Sequence, residues 1–117
     1  MTDRELIERA ARAAGYADLT EWSDKITDHD SPHYGMPALH PSGFGQQTAS
    51  WNPLEDDADA FRLMVDCGLT VCTDGSGTVS AADLSAKDGV FITQPIGADK
   101  KSATRRAIVR AAAEMAE

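Results

Sequence analysis

Leu69-Thr70-Val71-Cys72-Thr73-Asp74-Gly75-Ser76-Gly77-Thr78-Val79-Ser80-Ala81 is the stretch that decides the fold. Leu69 to Thr73 is rich in β-branched residues and reads as a strand. Asp74-Gly75-Ser76-Gly77 supplies a tight turn, and Thr78 to Ala81 forms the hairpin partner. Val90 to Gln94 is a third strand candidate, closed by Pro95, which has no N–H to continue a ladder.

Helical patterns flank these strands. Thr2 with Glu5 three residues later forms a capping box, and Leu6, Ile7, Ala10, Ala11 and Ala14 then share one face. Gly15 is a stop, so the pattern predicts a helix over 3–14. Trp51-Asn52-Pro53-Leu54 predicts the opening of a second helix, with Asn52 as N-cap and Pro53 at the first helical position. Leu54, Ala58, Phe61 and Val65 line one expected face, Glu55, Asp56, Asp57 and Asp59 crowd the positive end of the helix dipole, and Gly68 ends it. A last helix over about 100–116 buries Thr104, Ile108, Ala111, Ala112 and Met115, with Arg106 and Arg110 opposite. The order α, loop, α, β, β, β, α predicts an α+β fold, a small antiparallel sheet of about three strands packed with three helices. At 117 residues the chain is sized for a single domain, 1–117. Between Ser23 and Ser50 no period is visible, and Pro32, Pro37 and Pro41 with Gly35, Gly43 and Gly45 predict a long irregular loop. A loop of that length is functional or disordered.

Composition excludes several classes. The hydrophobic share of 42% and charged share of 26% are those of a globular chain. No apolar run approaches the roughly 18–20 residues that cross a bilayer, and the charged start Met1-Thr2-Asp3-Arg4-Glu5 does not read as a signal peptide. The expected location is therefore cytoplasmic, with Cys67 and Cys72 as reduced thiols. The formal net charge is −8, and residues 16–99 hold 14 acids against Lys25, Arg62 and Lys87. That body repels phosphates, so neither direct nucleic-acid binding nor a membrane is expected.

No complete catalytic motif is present, and no cofactor is expected. Residues 72–84 resemble a calcium loop at Asp74, Ser76, Gly77, Val79 and Ser80, but Cys72 stands where a hard cation needs a carboxylate, and Asp83 is a methylene shorter than the bidentate glutamate. A plain hairpin explains them better. Asp28, His29, Asp30, His33 and His40 could hold a metal with mixed N/O ligands, although no helix fixes their spacing. The acids at 55–59 read more simply as a solvated helix start than as a Mg²⁺ site. The binding candidates are the acidic face of the second helix (Glu55, Asp56, Asp59 and Asp66) and the loop residues His33, Tyr34 and Phe44. For the loop aromatics the alternative is that Tyr34, Leu39 and Phe44 fold back into the core.

Two stretches carry a family resemblance. Residues 51–63, Trp51-Asn52-Pro53-Leu54-Glu55-Asp56-Asp57-Ala58-Asp59-Ala60-Phe61-Arg62-Leu63, resemble the NPL-x-DD-x-DAL-RL segment of small phage and prophage accessory proteins. Residues 104–114, Thr104-Arg105-Arg106-Ala107-Ile108-Val109-Arg110-Ala111-Ala112-Ala113-Glu114, resemble their C-terminal helix. Phe61 stands where leucine is commoner, and the long loop has no counterpart. The group is loosely associated with phage α/β sandwich domains. The resemblance implies a phage-derived, non-catalytic protein that binds and inhibits a host protein, as an anti-defence inhibitor of the anti-CRISPR kind does, through an acidic surface. The alternatives are a protein that sequesters a nucleotide signal through Lys100, Lys101, Arg105, Arg106 and Arg110, or a small metal-dependent enzyme built on the 28–40 histidines.

Overall fold

The structure, a computed structural model, describes residues 1–73, 77–84 and 89–116. Helix α1 spans Asp3–Ala14, as its end signals predict: Thr2 Oγ1 accepts the Glu5 N–H, and Gly15 closes the helix in the left-handed region at φ 80°. Leu6, Ile7, Ala10 and Ala11 are its buried stripe.

The expected three-stranded sheet is present as β3 (Thr70–Cys72), β4 (Thr78–Ala82) and β5 (Phe91–Pro95), antiparallel throughout and in that spatial order. Val71 faces Ala81 across one ladder, and Ala81 faces Ile92 across the other. The central strand β4 is the most buried of the three, with Val79 and Ala81 fully inside. The turn residues Asp74, Gly75 and Ser76 lie outside the described residues, and the first and last of them are two of the calcium-loop positions. Cys72 and Ser80, also positions of that loop, pair across the β3–β4 ladder as in an ordinary hairpin.

Helix α3 (Lys100–Met115) is the hub. It packs against α1, α2, β4 and β5, and it buries Ala103, Ala107, Ile108, Val109, Ala111, Ala112 and Ala113. A single apolar stripe was expected, whereas the helix is buried on most of its circumference. Small side chains make this possible, because alanine lets neighbouring backbones approach on several sides at little entropic cost. Thr104 and Met115 are half-buried.

Two sequence expectations are corrected. The stretch 23–50 is not without regular structure: β1 (Glu21–Ser23) pairs antiparallel with β2 (Ala38–His40), and a short 3-10 turn spans Gln46–Ala49. Trp51 then extends that pairing, exchanging both backbone hydrogen bonds with Leu39 at 2.7 and 3.1 Å. These strands are three residues long, too short for an alternating pattern to emerge between prolines. The second correction concerns α2, which spans Asp57–Cys67 with Asp56 as its N-cap. Asn52 caps a turn that precedes the helix: its side-chain carbonyl accepts the Leu54 N–H, and its backbone carbonyl accepts those of Glu55 and Asp56. The buried face is therefore Asp59, Ala60 and Leu63, while Ala58, Phe61 and Val65 are exposed. Of the expected stripe only Leu54 is inside, and it lies before the helix.

This assignment of faces is testable by substitution. Leu63→Ala, at a fully buried position, should lower unfolding free energy by about 2–5 kcal/mol in urea titrations. Phe61→Ala, on the outer face, should change it by no more than about 0.5 kcal/mol. Equal losses at the two positions would contradict the assignment.

Candidate functional site

Loop residues 26–36 close on themselves before they meet α2. Ile26 donates to the Met36 carbonyl and Gly35 to the Ile26 carbonyl, both at 2.9 Å. The Gln47 side-chain carbonyl collects the N–H groups of Thr27 and Asp28 at 3.0 and 2.9 Å. This framework drives one side chain inward. His33 is 1% exposed, and its imidazole lies against the first turn of α2.

The ring is held at both nitrogens. Nδ1 is 2.6 Å from Ser50 Oγ, which is 2.8 Å from Ser31 Oγ, and Ser31 Oγ also accepts the His33 backbone N–H. Nε2 is 3.1 Å from Asp56 Oδ2 and 3.0 Å from Asp59 Oδ2. Each carboxylate is anchored from behind. Asp56 Oδ1 accepts the N–H groups of Ala58 and Asp59, which is the N-cap of α2. Asp59 Oδ2 accepts the Asn52 N–H at 2.9 Å, and Oδ1 accepts from Arg62 at 3.0 Å. Asn52 in turn donates from its side chain to the Pro37 carbonyl. Loop, pre-helical turn and helix thus meet at one polar point.

Electrostatics favour a positive species there. The hydrogen bond to Asp59 raises the His33 pKa above its ordinary value; burial opposes this, and the negative charges of Asp59 and Asp56 add to the rise. A nitrogen carries at most one hydrogen along this axis, whereas two carboxylate oxygens converge on it.

Three of the sequence candidates, His33, Asp56 and Asp59, are therefore brought together, and the others are not. Asp59 is 4% exposed and contributes nothing to an acidic surface. Glu55 is exposed. Asp66 is exposed too, and it accepts a hydrogen bond from the Tyr16 hydroxyl. Burial, followed by this bond, pushes the Tyr16 pKa up. Tyr34 is half exposed and stacked on His29, and Phe44 is fully exposed, whereas Leu39 folds back into the core. Among the described residues the set Asp28, His29, Asp30, His33 and His40 does not converge. His40 Nε2 meets Ser23 Oγ, its Nδ1 meets the Pro41 carbonyl, and only His33 joins a cluster of possible ligands. The cationic set also divides. Arg105 binds Asp57 and the Leu54 carbonyl, whereas Arg106 binds Asp3 and Arg110 binds Gln94.

Sequence reasoning missed the outer face of α2. Phe61 is 61% exposed and Val65 58%, and Phe61 lines a groove of about 490 Å³ together with Ala60, Met64, Val71 and Ile108. Lys100, Lys101 and Arg105 stand around the same groove. The available signal was the i, i+3 pair of Asp56 and Asp59, which fits an N-cap and an inward third position as well as it fits a solvated acidic face. No helix of the described chain is long and apolar enough to cross a membrane. The chain matches no protein-family model, and neither curated proteins nor solved structures give a match.

The raised His33 pKa gives a signed pH dependence. A histidine whose folded value lies above its unfolded one, near 6.5, contributes its full stabilisation below about pH 6.5 and loses it as pH climbs through the folded value. Urea unfolding of wild type and His33→Gln in chelator-containing buffer should differ by about 1–3 kcal/mol at the acidic end, as for a hydrogen bond to a charged group. The gap should narrow toward alkaline pH. A difference that is constant with pH would remove the protonated clamp.

Proposed function

We propose that this protein is a non-catalytic binding protein that docks a host protein through the outer face of α2 and inhibits it. The observation that carries this reading is the exposure of Phe61 and Val65, one helical turn apart, beside the apolar groove floored by Ala60, Met64 and Ile108. Large apolar side chains left in water on a helix, with a polar rim, are characteristic of interaction surfaces. Asp57, Lys100, Lys101 and Arg105 line the groove's edge, and Glu55 and Asp66 are exposed elsewhere on the same segment. The exposed acids at 55, 57 and 66 and the net charge of −8 favour a partner with a basic, nucleic-acid-handling surface, because opposite potentials steer association. The resemblance of residues 51–63 and 104–114 to phage accessory proteins supports a phage origin. With it comes an anti-defence role of the anti-CRISPR kind in the cytoplasm of the host cell. Tyr34 and Phe44 add exposed aromatic side chains on the loop.

The positions of Lys100, Lys101 and Arg105 around the groove favour one other reading, a protein that sequesters a nucleotide signal, with the base on Phe61 and phosphates on the cations. A thermal-shift panel of nucleotides separates the two, since sequestration requires at least one stabilising ligand.

Tagged wild type and Phe61→Asp should be used in parallel to capture partners from bacterial lysate. We expect a stoichiometric protein that wild type retains and Phe61→Asp loses. Glu55→Lys should weaken capture more at low salt than at high salt. A partner held equally by Phe61→Asp, or a Glu55→Lys effect that is independent of salt, would count against this surface.

A further inference from the structure

We propose that His33, Asp56 and Asp59 form a binding site for one divalent transition-metal ion of the zinc type, which pins the 26–36 loop to the start of α2. The three side chains offer one imidazole nitrogen and two carboxylate oxygens, all within 4.8 Å of one another. They come from separate places in the chain, the loop, the N-cap and the third position of the helix. Two of the three are almost fully buried, so the donors are held rather than scattered over a surface.

The geometry suits a cation better than a proton. Around a tetrahedral zinc with bonds of about 2.0–2.1 Å, neighbouring ligand atoms lie roughly 3.3 Å apart. Nε2 already stands 3.1 and 3.0 Å from the two carboxylate oxygens. For these two pairs an opening of a few tenths of an ångström reaches that spacing, and the ligand atoms all lie within 4.8 Å of one another. One hydrogen on Nε2 can point at only one of these oxygens, whereas an ion at the centre satisfies all three atoms and balances both negative charges.

The surroundings are those of a supported ligand set. Histidine ligands donate their other ring N–H to a fixed acceptor, which sets the tautomer and aims the lone pair. Ser50 Oγ stands 2.6 Å from Nδ1 in that role, itself held by Ser31. Asp56 commits Oδ1 to the helix cap and leaves Oδ2 facing the histidine. The Asn52 N–H and Arg62 hold Asp59 in place. Asp56 is the partly exposed member, so the ion enters from its side, and a water there completes four-coordination.

This site is independent of the docking surface, since Phe61 takes no part in it. Tag-free protein freed of metal by chelation should bind one equivalent of zinc by calorimetry, with a rise in Tm. Asp56→Asn keeps a good N-cap residue, and His33→Gln removes the nitrogen ligand. Each should weaken zinc binding at least about tenfold, while Phe61→Asp should leave it unchanged. Zinc affinity that is the same in wild type and both ligand variants would place the ion elsewhere and overturn the proposal. Nuclear magnetic resonance on wild type needs no variant: zinc should move the His33 Nε2 nitrogen resonance to a metal-bound position. A resonance that stays put at saturating zinc would equally overturn it.

Discussion

The burial of the Asp59 carboxylate is the constraint on which the rest of this architecture turns. A carboxylate removed from water costs several kcal/mol unless its lone pairs are answered by donors and opposite charge. Here the Asn52 N–H, the Arg62 guanidinium and the His33 ring answer it. Each donor arrives from a different segment. Satisfying one side chain therefore fixes the approach to α2, the loop that carries His33, and the rotation of the helix about its own axis. With Asp59 turned inward, Ala60 and Leu63 share the inner face, and Phe61 and Val65 are turned out.

The irregular segment follows from the same constraint. Between β1 and β2 the chain has little repetitive hydrogen bonding, and buried backbone groups must find partners one by one. They do so through Gln47, Ser31, Asn52 and the Ile26–Met36 closure. Apart from the local bond to Ser31, these polar contacts join residues 10 to 20 positions apart, and Ile26 is the apolar pin beneath them. Long loops in compact domains persist when they are fastened in this way, and the polar network fixes one conformation where a purely apolar surface could slide.

How much of this was legible in the sequence depended on whether the deciding contact was local. The bounds of α1 are set by Thr2, Glu5 and Gly15, all within a turn of the helix ends, and they were readable to the residue. The hairpin and third strand were readable from β-branched runs and turn residues. The start of α2 was not, because Asn52-Pro53 mimics an N-cap and first helical residue while capping only the turn before it. Asp56 and Asp59 were singled out for a solvated acidic face, and His33 as a loop contact or as a metal ligand beside Asp28, His29, Asp30 and His40. Their meeting joins positions more than 20 residues apart, which no periodicity encodes. The burial of α3 on more than one face escaped for another reason: alanine is nearly neutral in any hydropathy pattern, so its second buried face leaves little signal.

The amphipathicity of α2 is partly inverted, with a carboxylate inside and a phenylalanine and a valine outside. Inverting it has a stability cost on both faces. The inner carboxylate demands a polar network, and each large side chain left in water forgoes roughly 1.5–3 kcal/mol of burial. A sequence selected for folding stability would exchange these roles, and the pattern at 58–65 offers an easy exchange in register. Keeping Phe61 and Val65 outside is consistent with burial against something other than this chain. Keeping Asp59 inside beside His33 is consistent with a charge that the site is built to receive. The two faces of one eleven-residue helix are thus separable, one holding the loop and the other being the face we propose for a partner.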